Sequence, residues 1–508
     1  MAPPLPISSS QLLLKTQALQ SHQDAMRSSD PHPDIHLRPA KSPNVAMVSH
    51  PGWPFYRPLL TWMGTQRRRM FPIHPADQTV ATGALCTLAL KIMATGLGVL
   101  ATLVIARILD AKGYGTFTYA MAWISVLLIP ATFGFDTLLV RQLAAYASQS
   151  DWGLMRGLLR RTHQVVLAIS LGIGTISGSV LWIMANHLDA QLLFTMGLGC
   201  VLLPLMALNG LRQAAMQGLH RVVTGQIPGT VIQPLLLLGL VCASYLILGL
   251  KLSAPVIMGL VVISACVTYV IGTQLLSRAI PTFVERAQPT YRTAQWSQAA
   301  LPLALLTGLH VVNSQTDVIM LGAIHGVEQA GVYSVASRGA ELILFPLVAA
   351  NMALGPKIAV LHAEGKLHRL QQLVTASARG TFVLACPIAL AFLFSGDWFL
   401  FLFGPHFLEG TGALRILSVG QLTNVFMGSV GLLLIMTGYE RDAARGMAMS
   451  AGLNIFLNAM WIPMWGIHGA AWATAMSLIT WKVFLIISVY KRLHINTTAL
   501  GIINKAPQ

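Results

Sequence analysis

From residue 80 onward the chain is a succession of apolar runs, each about 20 to 27 residues long, separated by short polar stretches. A run of that length crosses a hydrocarbon core of about 30 Å as one helix, and inside lipid only helices and closed barrels satisfy every backbone group. The runs are too long and too continuously apolar for the alternating strands of a barrel. They predict an all-α integral membrane protein with about 12 transmembrane helices, at 80–106, 114–140, 162–186, 191–213, 223–249, 254–277, 297–323, 331–356, 379–403, 411–437, 444–465 and 468–490. With 55% of residues hydrophobic and only 10% charged, the composition excludes a disordered chain, a disulfide-rich module and an ordinary soluble enzyme.

Lys and Arg number 33 against 17 acids, a net charge of +16. In a soluble protein that excess would suggest nucleic acid; here its placement says otherwise. Eighteen of these cations fall in the loops after the even-numbered spans and at the C-terminus, and eight more lie in residues 1–78. The opposite loops hold only Arg107, Lys112 and Lys251. Cations collect on the cytoplasmic side of membrane proteins, so the pattern predicts two cytoplasmic termini and no nucleic-acid partner. The five cysteines each lie inside an apolar run without CxxC spacing, which gives no disulfide or metal signal.

Residues 1–78 are rich in Pro, Ser, His and Gln and read as a disordered cytoplasmic tail. The metal-ligand types in Asp30–His36 lack a rigid scaffold, and Arg67-Arg68-Arg69 serves to orient the first helix. No apolar segment with a small-residue cleavage site precedes it, and Met63 or Met70 could be the true start. The remainder repeats. Gly115-Thr-Phe-Thr-Tyr-Ala120, Pro130 and Arg141 match Gly331-Val-Tyr-Ser-Val-Ala336, Pro346 and Lys357 at an offset of 216. Met216, Gly218 and Arg221 match Met436, Gly438 and Arg441 at an offset of 220. Six spans therefore map onto six in the same orientation, a parallel repeat. The expected organisation is an N-lobe at 79–278, a linker at 279–296, a C-lobe at 297–490 and a cytoplasmic tail at 491–508, the two six-helix lobes enclosing a central cavity.

These residues carry a family resemblance. Ala106-Arg-Ile-Leu-Asp-Ala-Lys-Gly-Tyr-Gly-Thr-Phe117 resembles the "ARxLGPxxYGxF" turn of polysaccharide flippases, and Phe133-Gly-Phe-Asp-Thr-Leu-Leu-Val-Arg141 resembles their "GLDxxLVR" segment. Asp317-Val-Ile-Met-Leu-Gly322, followed by Ala330–Ala336, is similar to their "DxxxLGxxxGxxxxGxYxxA" pattern, and Gly404–Phe407 and Gly466–Ala471 look like later matches. Leu109-Asp110-Ala111 departs from the usual Leu-Gly-Pro. Over residues 80–490 the chain resembles the Wzx-type oligosaccharide flippases of the multidrug/oligosaccharidyl-lipid/polysaccharide (MOP) superfamily. The resemblance implies a non-enzymatic transporter of the bacterial inner membrane. It would carry an undecaprenyl-pyrophosphate-linked oligosaccharide by alternating access, alongside the polymerase and glycosyltransferases of the same pathway.

Ionisable groups inside spans are costly and mark function by default. After loops and tails, Lys91, Arg338, Arg415 and Lys482 remain, with Asp317 and Glu341 the clearest buried acids. Thr307, His310, Ser314 and Asp317 form one stripe on a helix, and Ser334, Arg338 and Glu341 another. At 1.5 Å per residue, Asp317 and Arg338 sit about 8 and 10 Å from the outer ends of their spans, so an ion pair is the simplest account and a protonatable or ion-binding gate the functional one. Lys91 lies about 17 Å into the first span with no acid at its depth, and the resemblance offers a pyrophosphate as its anion. Arg415 can pair with Glu409 or face the cavity, Lys482 can snorkel to the interface, and Asn454 and Asn458 can bind sugar hydroxyls or bond between helices. No GxxxxGK[ST] loop is present, so ATP is not the direct energy source. No cofactor is expected, and the coupling ion is left open between H+ and Na+. The alternative function is a MATE-like multidrug/cation antiporter, whose cavity would favour acids over the Lys found here.

Overall fold

The structure, a computed structural model, describes residues 75–500 apart from 248 and 250, with side chains from 87 onward. The expected disordered tail at 1–78 and the Arg67–Arg69 cluster lie, but for the helical backbone from Pro75 on, outside the described residues. The described chain is a succession of helices, which we number α1 (Pro75–Thr132), α2 (Phe135–Gln149), α3 (Trp152–Ile183), α4 (Ala190–Gly218), α5 (Val222–Leu246), α6 (Ala254–Ala279), α7 (Thr293–Ile324), α8 (Val327–Ala363), α9 (Leu367–Phe401), α10 (Pro405–Phe426), α11 (Val430–Met436) and α12 (Glu440–Leu493). Eight helices among the described residues are long and apolar enough to cross a membrane, or nine if α10 and α11, bent by 41° at their junction, make one span. Large apolar side chains stand on the outside, among them Trp182 at 81% and Phe394 at 80% exposure, as expected of a surface that faces lipid.

Two helices are far longer than a bilayer is thick, and each is broken by one residue with a positive φ. Residues 87–132 of α1 would run about 69 Å if straight, and Asp110 breaks them at φ 59°. The 54 residues of α12 break at Gly466, φ 52°. Contacts across that break show that α12 folds back on itself. The Ser450 hydroxyl donates to the Ser477 carbonyl at 3.4 Å, and Gly446 packs against Trp481, Phe484 and Leu485. Gly469 sits so tightly on Trp461 that a Cβ would overlap the Trp461 carbonyl. A one-residue turn of this kind needs a left-handed conformation, which glycine adopts at least cost.

The turns sort onto two faces. On one, Lys112 pairs with Asp189 at 3.5 Å, the Arg107 Nε donates to the Leu402 carbonyl at 2.6 Å, and a His325 ring nitrogen lies 2.8 Å from the Ile462 carbonyl. On the other, the segment before α7 is tied to the start of α3: Arg156 donates to Ala287 O at 2.8 Å, Thr290 N to Gly153 O at 3.0 Å, and Trp152 stacks on Phe283 at 4.3 Å. Residues 496–499 lie across the start of α9 there, bonded to Gln371, Thr375 and Arg379, and the Ala499 N–H donates to Phe426 O at 3.1 Å. Alternation of turns between two faces is what a multi-pass chain requires.

The repeated glycines meet. A Cβ on Gly115 would overlap the Val327 carbonyl, and one on Gly331 would come within 2.8 Å of both Ala111 O and Gly115 N. Positions 216 apart in sequence thus face one another where α1 crosses α8, as a two-fold repeat places equivalent residues on the axis. The second arm of α1 also follows α7 along its length: Gly322 packs on Tyr119, Gly308 on Ile129, and Gly134, just past the end of α1, on Ala300 and Ala304. Trp296 and Ala300, in the first turns of α7, belong to a buried cluster with Phe135, Leu139 and Tyr146 of the first lobe.

Gly469→Leu is expected to destabilise the protein by about 1–3 kcal/mol or more, because backbone occupies the space that the side chain needs. Gly452→Ala, with nothing near its missing Cβ, is expected to leave the melting temperature unchanged. Thermal unfolding of the two purified variants tests the hairpin.

Candidate functional site

Of the polar stripe on α7, Thr307, His310 and Ser314 are exposed, whereas Asp317 is only 4% exposed. The Asp317 carboxylate is saturated by neutral donors. Its Oδ2 accepts from the Tyr333 hydroxyl at 2.7 Å and from the Thr474 hydroxyl. Its Oδ1 accepts from Asn458 Nδ2 at 2.6 Å and Asn454 Nδ2 at 3.3 Å. Tyr333 stands on α8, both asparagines on the first arm of α12 one turn apart, and Thr474 on its second arm, so the carboxylate joins four helical segments. A buried charge without such bonds costs far more than it returns, and each bond to it is charge-assisted. The Oδ1 of Asn458 is buried without a partner. The described residues hold no group of three His, Cys, Asp or Glu arranged for a metal.

The expected Asp317–Arg338 ion pair is absent. Tyr333, which meets Asp317, and Arg338 lie five residues apart on one helix, about 7.5 Å along it and about 140° around it, so when Tyr333 faces Asp317 the guanidinium lies deeper and points elsewhere. Arg338 is exposed, and Glu341 interacts electrostatically with both Arg338 and His310. The sequence candidates therefore divide into two sets. Asp317, Asn454 and Asn458 form a sealed knot, with the asparagines bonding between helices. His310, Ser314, Arg338 and Glu341 form an exposed polar face on α7 and α8.

Four other cations also differ from expectation. Arg415 pairs with Asp397 at 3.4 Å rather than with Glu409, and both partners are about half exposed, which makes the pair weak. Lys482 is 5% exposed and does not snorkel: its Nζ donates to the Gly428 carbonyl at 3.0 Å, an acceptor released by the break between α10 and α11. Lys91 is exposed and has no side-chain partner among the described residues, but its depth changes. The helix begins at Pro75 rather than at residue 80. Counted back from Asp110, Lys91 lies about 28 Å down the first arm, near the far boundary of the core rather than at its midplane. Arg212 is one of the eighteen cations assigned to the loops after the even-numbered spans and to the C-terminus, although the expected fourth span runs to 213. It lies inside α4, 5% exposed, its guanidinium laid over Gly272 of α6. Tyr333 and Thr474 were missed as site residues. Tyr333 stands in the repeat and carried a usable signal; Thr474 carried none.

Comparison with known proteins follows the same lines. The family described as polysaccharide biosynthesis protein matches residues 80–362, and the MatE family matches residues 302–460. The probable flippase AglR of Haloferax volcanii is 29% identical over 168 residues, and a probable low-salt glycan biosynthesis flippase of the same organism is 26% identical over 165 residues. Each match takes in 32% of this chain and 35% of the relative, so the chain aligns with about a third of the length of these curated relatives. Among solved structures, an inward-facing multidrug resistance MATE family transporter of the MOP superfamily aligns with a TM-score of 0.64 at 13% identity, covering 81% of this chain and 98% of that one. The lipid II flippase MurJ in an inward closed conformation aligns at 0.60 and 13% identity, covering 80% and 87%. A MOP superfamily transporter from Pyrococcus furiosus aligns at 0.58 and 12%, covering 81% and 95%. These structures establish the MOP transporter fold.

The knot and the exposed face respond differently to substitution. Asn458→Ala removes a donor from a buried carboxylate and is expected to cost about 1–3 kcal/mol. Asp317→Ala, which strands four donors, is expected to cost more, while Arg338→Ala barely moves the melting temperature. The exchange of Asp317→Arg with Arg338→Asp is expected to be no better than Asp317→Ala. Recovery of stability in the exchange variant would restore the ion pair.

Proposed function

The chain belongs to the polysaccharide biosynthesis protein family, and from that premise we propose that it is a flippase carrying a lipid-linked oligosaccharide between leaflets by alternating access. The observation that carries this reading is the closure at Gly115 and Gly331 on one face, combined with a polar set left exposed deep in the bundle. His310 and Glu341 lie about 21 Å in from the outer ends of α7 and α8, and exposed charge at that depth must meet a water-filled cavity rather than lipid. Closed on the Gly115 face and polar below it, the molecule has the form of an inward-open carrier. The second arm of α1 and α7 seal one seam, so the opening lies toward the first arm of α1 and the inner half of α8, where Lys91, Met93 and Met352 are all exposed.

A diphosphate headgroup needs cations, and Lys91 and Arg338 supply them at two depths of one cavity. Lys91, near the inner mouth, is placed to receive the headgroup, and Arg338 to hold it further in. The substrate we favour is an undecaprenyl-pyrophosphate-linked repeat unit, the membrane a bacterial plasma membrane with both termini cytoplasmic, and the number of crossings twelve, reached by adding α7 to the nine apolar spans and counting each arm of α1 and α12 separately. The Asp317 knot is the candidate seat of the coupling ion, H+ or Na+, because it offers one carboxylate and an unused Asn458 oxygen. A MATE-like cation antiporter is less well supported, since the exposed charges are mainly cationic.

In proteoliposomes, translocation of a polyprenyl-diphosphate-linked glycan, read by its accessibility to an added glycosidase, is expected to fall at least about tenfold in Lys91→Ala and further in Lys91→Glu. Lys91→Arg is expected to retain most of it. Normal translocation by both Lys91→Ala and Lys91→Glu removes Lys91 from the path; no translocation by the wild type, under any ion gradient, removes the flippase reading itself. Orientation has a separate test. In a background without native cysteines, reporters at Gly365 and Ser277 are expected to label only from the cytoplasm, and one at Glu328 only from outside.

A further inference from the structure

Cations at the turns of a membrane protein usually find water or a nearby acid. Lys366, in the turn between α8 and α9, does so: its Nζ lies 2.8 Å from Glu364. Lys357 on α8 and Arg369 on α9 flank the same turn, and neither has an ion-pair or hydrogen-bond partner among the described residues. Between them the two helices part around an open groove of about 700 Å³. Its walls include Pro356, Val360, Leu361 and Leu373, with Lys357 and Arg369 in the same lining. Ile358 and Leu370, both fully buried, hold the helices together beside it.

Depth and chemistry agree. Lys357 lies about 9 Å before the end of α8 and Arg369 about 3 Å beyond the start of α9. That band holds lipid phosphates and the first methylenes of their chains. Two unpaired cations beside an aliphatic wall are complementary to a ligand with a phosphate at one end and hydrocarbon at the other. We propose that this groove binds an anionic glycerophospholipid of the adjoining leaflet, its phosphate between Lys357 and Arg369 and an acyl chain against Val360, Leu361 and Leu373.

The groove does not suit a glycan. Its only uncharged polar side chain is Gln372, whose amide nitrogen already lies 3.0 Å from the His368 ring. Arg338 is about 28 Å away along α8, so a headgroup bound here is not the one held in the cavity. The face is cytoplasmic by the distribution of loop cations, and the cytoplasmic leaflet carries the anionic lipids to which each Lys or Arg adds roughly fivefold in affinity. A lipid in this position ties the inner half of α8, which borders the opening, to α9.

The test is lipid retention by the full-length protein in detergent, measured by native mass spectrometry with dioleoyl-phosphatidylglycerol against dioleoyl-phosphatidylcholine. The wild type is expected to prefer the anionic lipid. Lys357→Gln and Arg369→Gln are each expected to cut that preference roughly fivefold, and together by about 25-fold, to near parity. Lys366→Gln, on the same turn, is expected to leave it intact, as is the charge-conserving pair Lys357→Arg with Arg369→Lys. All three positions are exposed, and an unchanged melting temperature without lipid verifies each variant. A wild type that does not distinguish the two lipids overturns the proposal, as does a double glutamine variant that retains phosphatidylglycerol like the wild type. Displacement of phosphatidylglycerol by a polyprenyl diphosphate that itself depends on Lys357 and Arg369 would assign the groove to the transported lipid instead.

Discussion

A carboxylate buried without a counter-ion holds the second lobe together. Asp317 is neutralised by four dipoles rather than by a cation, and those dipoles come from α8 and from both arms of α12. Each donor would be costly to leave unmade, so register between the segments is fixed at one point deep in the lobe. The same principle operates with opposite sign at the break between α10 and α11. There the ammonium of Lys482 meets the freed carbonyl of Gly428, and the Ser429 hydroxyl donates to the side-chain oxygen of Asn351 on α8. Interruptions of helix within the membrane survive only where a polar group replaces the lost backbone partner, and here the replacements are side chains already locked by packing.

The architecture was readable because lipid imposes it. Apolar length marks the helices, and cation spacing orders the turns. Turns also left a trace in residues that tolerate positive φ, as Gly466 does and as Asp110 does in a position that favours glycine. What could not be read is azimuth. Depth along a helix follows from counting, but which neighbour a side chain meets depends on rotation set by the whole bundle. That is why Asp317 and Arg338, expected to pair, face different partners. Errors of depth have a separate cause. Lys91 and Arg212 were misplaced because their helices run past the apolar stretch, and hydropathy does not register where a helix continues into the interface.

The contact between Gly115 and Gly331 links the internal repeat to the proposed transport cycle. Equivalent residues of two lobes can touch closely on an axis only if neither carries a side chain, and the close approach of backbone to backbone leaves no room for solvent between them. That seam is held by packing and by the Arg107–Leu402 hydrogen bond on the same face, so it can part without breaking a salt bridge. The opposite end is organised differently. Cations are plentiful there, and the chain between the lobes is bonded in place rather than free.

That fixed connection has a mechanical consequence. The eighteen residues at 279–296 look in the sequence like a slack tether between two bodies. In the molecule they are fastened to the start of α3, and the helix that follows them is itself shared. Trp296 donates to the Tyr146 hydroxyl at 3.0 Å in the first lobe, and Asp317 of the same helix is anchored in the second. Some 30 Å of continuous helix therefore spans the two attachments, with Pro302 interrupting its hydrogen bonds on the way. If the lobes rock while both ends remain fastened, the strain cannot be taken up by the connecting segment. It falls on α7, which must flex like a leaf spring, and the elastic stiffness of that one helix would then set how easily the proposed carrier exchanges one face for the other.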